Sequence, residues 1–316
     1  MKYSYLPILL LVAYSLPAQD GQPGSAGARG LGMGRTGLVF TDIHSLFTNP
    51  AGLAKVEQFA ALAVAEQRFL LRELRQVSAA AALPAAGGAF GLRIQYYGFE
   101  LYNEQQAGLA YARRLSDAFR LGAQFVYYGH RIPNYGSRHL LTFQLGLQAQ
   151  VLPGLKLGAA LFNPLRLERS EEGELLPTRF AVGLGYNPSP QFLLTLEAEK
   201  DIDFPMRIKG GVEYCLAPPL RLRLGAASNP SLFTFGFGLR LRQGIGIDLA
   251  SSWHQFLGFT PGHYRPIDEG EQRAARNLDR LKDSKVHYLQ NEEEKTFIIE
   301  DLIFLRGRWR LFSFLP

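Results

Sequence analysis

From about residue 57 to 256, apolar and polar positions alternate with period two, the pattern of strands with one apolar face. In LTFQLGLQAQV, residues 141–151, Leu141, Phe143, Leu145, Leu147, Ala149 and Val151 fall on one side. Thr142, Gln144, Gly146, Gln148 and Gln150 fall on the other. FTFGFGLRLR sets Phe233, Phe235, Phe237, Leu239 and Leu241 against Thr234, Gly236, Gly238, Arg240 and Arg242. LRLRLGAA and FLLTLEAEK repeat the arrangement. Fourteen such runs are predicted as strands, near 58–66, 74–83, 88–98, 104–114, 118–129, 138–151, 154–162, 178–187, 191–200, 206–216, 219–228, 232–242, 244–254 and 257–266.

Many runs are about 9–12 residues long, the length that crosses a bilayer at a tilt. A soluble sandwich would turn its apolar faces inward and use shorter strands on average. The alternative is an all-β, transmembrane antiparallel β-barrel of about 14 strands, apolar outside and polar toward the lumen. Alternate connections agree: PAAGG, RLSDA, VLPG, NPSPQ, LAPP and RQG are short and built from turn-forming residues. Those at the opposite end include the long NPLRLERSEEGELLP, residues 163–177. Short turns at one end and longer loops at the other is the asymmetry of outer-membrane barrels.

The charges on the polar faces follow from this placement. Successive strands carry Glu197 and Glu199, then Lys209 and Glu213, then Arg221 and Arg223, with Arg240 and Arg242 further on. Strands about 4.8 Å apart bring opposite charges within pairing distance inside the barrel. The pattern fits internal packing of a nearly closed lumen better than a charged permeation path.

The chain of 316 residues opens on MKYSYLPILLLVAYSLPAQD, with Lys2, an apolar run from Leu6 to Leu16 and a small residue, Ala18. This predicts a secretory signal peptide over residues 1–18. It is followed by a glycine-rich segment over 19–56, a barrel over 57–266 and a charged extension over 267–316. The stretch GMGRTG, residues 32–37, matches the dinucleotide-binding pattern G-x-G-x-x-G. That pattern needs a strand before it and a helix after it. Here DGQPGSAGAR precedes it and no βαβ unit follows, so nucleotide binding is rejected. In a barrel, the same glycines suit a segment that enters the lumen, turns tightly and packs close to the wall. Asp42 is placed to cap a short helical turn, and Asn49 before Pro50 to start another.

The stretch ARGLGMGRTGLVFTDIHSLFTNPAGLA resembles the N-terminal signature of FadL-like outer-membrane proteins, and especially of the PorV/PorQ family of Bacteroidetes-type bacteria. The matches are Gly32, Met33, Gly34, Gly37, Asp42, Asn49, Pro50, Ala51, Gly52 and Leu53. Arg35 and Phe40 depart from it, where glycine and alanine are usual. WHQFLGFTPG, residues 253–262, resembles the family's last hairpin. The resemblance implies a Gram-negative outer-membrane barrel with an N-terminal hatch. Gly32, Gly34, Gly37, Asp42, Asn49, Pro50, Ala51 and Gly52 would be hatch residues. In the PorV branch it implies an accessory of type IX protein secretion, with secreted cargo proteins or secretion-system subunits as partners. In the FadL branch it implies passive transport of a hydrophobic ligand. Outer-membrane lipid is the partner in either case. The first is the leading expectation and the second the alternative.

Other chemistries find little footing. The net charge of +6 forms no basic stripe with interleaved aromatics, so no nucleic-acid partner is expected. Cys215 is the single cysteine, which excludes an intrachain disulfide. The six histidines show no H-E-x-x-H spacing, so no metal site and no cofactor are expected. Asp248, Ser252 and His254 share one face of a late strand and are read as lumen packing rather than as a hydrolase site. No enzymatic activity is expected. In the extension, Leu278, Leu281, Val286 and Leu289 have loosely helical spacing. Three readings stand: a periplasmic helix with a docking segment, a replacement final strand in RWRLFSF, or an end without selected function.

Overall fold

The computed structural model describes residues 27–68, 71–133, 136–168, 175–241, 245–254 and 258–261, and short strands between 284 and 315. The predicted signal peptide lies outside the described residues. The polypeptide enters through a short helix, α1 (Gly27–Gly32), and two 3-10 turns, Ile43–Phe47 and Pro50–Lys55. Fourteen strands follow: β1 (Ala60–Gln67), β2 (Arg75–Ala85), β3 (Gly88–Phe99), β4 (Tyr102–Arg114), β5 (Phe119–Ile132), β6 (Gly136–Leu152) and β7 (Leu155–Phe162). Next come β8 (Arg179–Tyr186), β9 (Phe192–Asp201), β10 (Arg207–Ala217), β11 (Leu220–Ala227), β12 (Leu232–Arg240), β13 (Gly246–His254) and β14 (Gly258–Pro261).

Each strand pairs antiparallel with its chain neighbour, giving one sheet in the order β1 to β14. The two ends of that sheet, β1 and β14, approach each other. Every predicted strand is present. The last is shorter than the predicted 257–266, and the residues beyond Pro261 lie outside the barrel residues described.

The inside-out burial of the wall is explained by period two. On β11, Leu224 is 65 % exposed whereas its neighbour Arg223 is 1 % exposed. The exposed row continues around the outside with Phe125, Leu141, Phe180, Leu196, Phe233 and Phe237. A contiguous apolar exterior of this extent is stable only against hydrocarbon, so the molecule is a transmembrane barrel. The lumen side carries Gln124, Gln144, Gln148, Thr195, Glu197 and Arg223, all buried.

The extension does not show the expected helix in its described parts. Val286 and Leu289 lie in a strand, Ser284–Gln290, paired antiparallel with Glu293–Ile299. Leu278 and Leu281 fall outside the described residues. The run KVHYLQ reads with period two as well as with helical spacing, and its valine and tyrosine favour a strand. The segment of RWRLFSF expected to replace the last barrel strand, Arg308–Leu311, pairs instead with Leu302–Leu305 in a separate sheet.

Candidate functional site

The candidate site is the segment from Gly27 to Val56, which occupies the lumen. Its local structure follows from its capping residues. Asp42 is extended, and its carboxylate accepts a hydrogen bond from the His44 amide at 2.9 Å, starting the turn Ile43–Phe47. Asn49 is also extended, and its side-chain oxygen accepts from the Ala51 amide at 3.2 Å. Pro50 opens the second turn, where its missing N–H removes nothing from the hydrogen bonding.

The wall has a seat for this backbone. Gly34 has φ +71°, and a Cβ there would lie within 2.6 Å of the Ala226 carbonyl oxygen. Across the lumen, Gly122 lies under Pro50 and Ala51, so closely that a Cβ would meet the Ala51 amide nitrogen at 2.5 Å. Gly158, Gly211 and Gly225 of the wall likewise leave no room for a Cβ beside Leu38, Met33 and Gly34 of the segment. Leu38 packs on Ala160 and Ala181, and four further apolar side chains go to a different sector. Ile43, Leu46, Phe47 and Leu53 pack on Ala80, Ala82, Ala89, Ala110 and Ala112 of β2, β3 and β4.

Polar contacts latch the segment to the remaining strands. The Glu197 carboxylate on β9 accepts from the amides of Gly37 at 2.6 Å and Leu38 at 2.7 Å. The Thr36 and Thr195 hydroxyls are 2.9 Å apart. Thr234 accepts from the Gly34 amide at 2.8 Å. Asn49 donates to the carbonyls of Leu38 at 2.9 Å and Leu147 at 3.0 Å. Gln148 donates to the carbonyls of Leu38 and Phe40, each at 2.9 Å.

A continuous ion-pair chain runs from the hatch along the wall. Asp42 pairs with Arg29 at 2.5 Å, and Arg29 with Glu213 at 2.8 Å. Glu213 pairs with Arg223 at 2.7 Å, Arg223 with Asp248 at 2.7 Å, and Asp248 with Arg240 at 3.1 Å. Arg221 joins at 3.5 Å from Glu213. A second cluster joins Lys209 to Glu199 at 3.0 Å and to Glu197 at 3.4 Å. The structure thus brings Glu197, Glu199, Lys209, Glu213, Arg221, Arg223 and Arg240 together inside the lumen. Arg242 lies outside the described residues. Asp248 has both carboxylate oxygens engaged by arginines.

Within the hatch, burial alone would raise the Asp42 carboxyl. The charges of His44 and Arg29 and the hydrogen bonds from His44 outweigh that and hold it well below the usual carboxylate range. Burial opposes the charge on Arg29, but Asp42 and Glu213 overcome it and push its pKa up. For Arg35, burial prevails over the attraction of Glu66, and its pKa is lowered.

Both departures from the family pattern acquire a physical account. Arg35 adopts φ +65°, a conformation that favours glycine. Its guanidinium is 2.8 Å from Glu66 on β1, an ion pair that glycine does not make. Phe40 is buried beneath the Arg29 guanidinium, 4.3 Å from ring centre to cation. Sequence reasoning missed Arg29, Glu66 and Asp248 as partners. Asp248 carried a signal, since it lies on the polar side of a predicted strand with Ser252, whereas Glu66 shares its strand face with Ala60, Leu62 and Val64 and carried none. A second feature it missed lies at the long-loop end. Asn163 donates to the Leu176 carbonyl at 2.8 Å, and Leu176 packs with Val126, Tyr128 and Phe162.

No protein-family model matches the sequence, and no curated protein is similar enough to count as a relative. Solved structures are similar in fold. The toluene transporter TbuX of Ralstonia pickettii is 13 % identical, with 78 % of this chain and 96 % of that chain covered, at a TM-score of 0.55. A FadL homologue from Pseudomonas aeruginosa is 12 % identical over 74 % of this chain and 94 % of that chain, at 0.54. The monoaromatic hydrocarbon channel CymD is 12 % identical, with the same coverage, at 0.56. The chain therefore shares its fold with these three proteins. This likeness does not single out the PorV/PorQ branch that the N-terminal motif resembles.

Proposed function

We propose that this chain is an outer-membrane channel for a hydrophobic small molecule, closed by its hatch. One observation carries the reading: the lumen is filled by a single segment whose described attachments to the wall are hydrogen bonds, ion pairs and packing. Such attachments are reversible, so displacement of the segment opens a passage without breaking the barrel. Proteins of similar fold include a toluene transporter and a monoaromatic hydrocarbon channel. The motif alone put the secretion accessory first; these structures favour the reverse order. The hatch residues act here as a gate, and the lumen charges as its latch.

The experiment uses the opposed Thr36 and Thr195 hydroxyls, 2.9 Å apart. Thr36→Cys with Thr195→Cys, in a Cys215→Ser background, places two thiols where a disulfide ties the hatch to β9. Uptake of labelled toluene is measured in cells lacking their own channel. Uptake is expected with the reduced protein, to vanish on oxidation and to return with reductant. No uptake above empty cells, or uptake indifferent to the bridge, overturns the reading. A comparison of the exported proteins of a deletion strain and its parent then tests the secretion role.

A further inference from the structure

A cavity of about 160 Å³ lies between hatch residues Val39–Thr41 and the short-turn ends of the neighbouring strands. It is separate from the apolar group at the long-loop end. Three cations line it, Arg29, Lys156 and Arg221, against one carboxylate, Glu213. That carboxylate is already saturated. Arg29 donates to both of its oxygens, at 2.8 and 3.1 Å, and Arg223 to one at 2.7 Å. Arg221 reaches it only at 3.5 Å, and its Nε is buried without a partner.

Lys156 is half-buried on the lumen face of β7, and no ion pair to it is found among the described residues. Lys55, Arg120 and Arg29 act on it as like charges, and Asp42, which opposes them, is already paired with Arg29. Arg120 is itself 2 % exposed, with two guanidinium nitrogens lacking partners. Buried cations in excess of their counter-ions create a positive potential in a low-dielectric enclosure, and an anion relieves it. Phe40 and Phe192 supply apolar walls. The volume compares with cavities of about 150 Å³ that accept a benzene molecule.

We propose that this cavity binds a small oxyanion, a carboxylate or phosphate on a body no larger than one aromatic ring, with Lys156 and Arg221 as its principal counter-charges. The site is independent of the channel reading and stands if that reading fails.

The test is isothermal titration of the purified full-length barrel in detergent with inorganic phosphate, benzoate and neutral benzyl alcohol. Saturable binding of phosphate or benzoate is expected, weakening with salt, and which of the two binds identifies the group. Lys156→Gln and Arg221→Gln are each expected to weaken it about tenfold or more, Lys156→Arg to retain it and Lys200→Gln to leave it unchanged. The bound anion is also expected to slow modification of Cys215, which lines the cavity, by a small thiol reagent. The proposal is overturned if neither anion saturates or if benzyl alcohol binds as tightly. It is overturned equally if the two glutamine variants bind like the parent. Should these variants fail to fold, the salt dependence and the neutral comparison on the parent protein decide it.

Discussion

Arg29 and Glu213 are 184 residues apart in the chain and meet in the lumen through two hydrogen bonds, Nη2 to Oε1 at 2.8 Å and Nε to Oε2 at 3.1 Å. One partner rides on the hatch and the other on β10 of the wall. Glu213 also holds Arg223, so a single carboxylate organises charges on α1, β10 and β11.

Replacing this glutamate with glutamine leaves Arg29 and Arg223 without that counter-charge while the barrel's backbone pairing is untouched. Breaking a buried pair from one side costs about 3–5 kcal/mol. Glu213→Gln is expected to free the hatch and raise ion conductance in planar bilayers, with the folded-barrel gel mobility unchanged. Conductance equal to the parent's would show that Glu213 does not latch the hatch.

Gly34 has no room for a methyl group between β10 and β11, and its φ of +71° disfavours any other residue. Gly34→Ala is expected to unseat the hatch by local steric exclusion. Trypsin cleavage after Lys55, an exposed residue at the hatch's end, reads this directly. Cleavage should become several-fold faster in the folded barrel. An unchanged rate would mean that the wall yields instead.

Asn49 donates to two carbonyls, and an aspartate of the same shape presents oxygen to both. Each unsatisfied buried acceptor costs about 1–3 kcal/mol. Asn49→Asp is accordingly expected to speed hydrogen exchange of the hatch amides while those of β9 and β10 stay protected. Equal protection in both proteins would place Asn49 outside the latch.

The ion pair between Asp42 and Arg29 sets a pH dependence. The folded-state pKa of Asp42 lies below its ordinary value of 3.8. Its contribution to hatch stability is thus complete above that value and is lost as pH falls below it. Hatch protection is expected to hold from neutral pH to about 5 and to decline through the region below about 4. Asp42→Asn should weaken the hatch at neutral pH and shrink this acid decline. A decline of the same size in both proteins would assign it to other carboxylates.

Arg35 opposes two effects, the cost of a positive φ and the gain of an ion pair to Glu66. Arg35→Gly removes the first and the second together. Arg68 remains 3.2 Å from the same carboxylate and limits the loss. A small shift in thermal midpoint is expected, smaller than that of Glu66→Gln, which strips the counter-charge from both arginines. The reverse order would show that backbone strain outweighs pairing here.

The strands are legible in the sequence because their pattern repeats every two residues and each residue's side follows from parity alone. Leu141, Leu145 and Val151 face outward and Gln144 and Gln148 inward, as alternation requires. Capping at Asp42 and Asn49 is legible for the same reason, since a cap acts within two or three residues of itself. The extension misleads where period two and helical spacing both fit a short run, and only pairing of Ser284–Gln290 with Glu293–Ile299 distinguishes them.

Sequence by itself therefore determined the strands, the extents of most of them and the polarity of their two faces, all of which depend on neighbours in the chain. Tertiary structure decided which strands the hatch meets. The glycine faces of β5 and β11 become a seat only when residues such as Gly34 and Ala51 come to lie on them. Glu213 acquires its partner Arg29 only when the lumen encloses both. Such contacts join residues far apart in sequence, and chain closure in space, which no local pattern encodes, selects them.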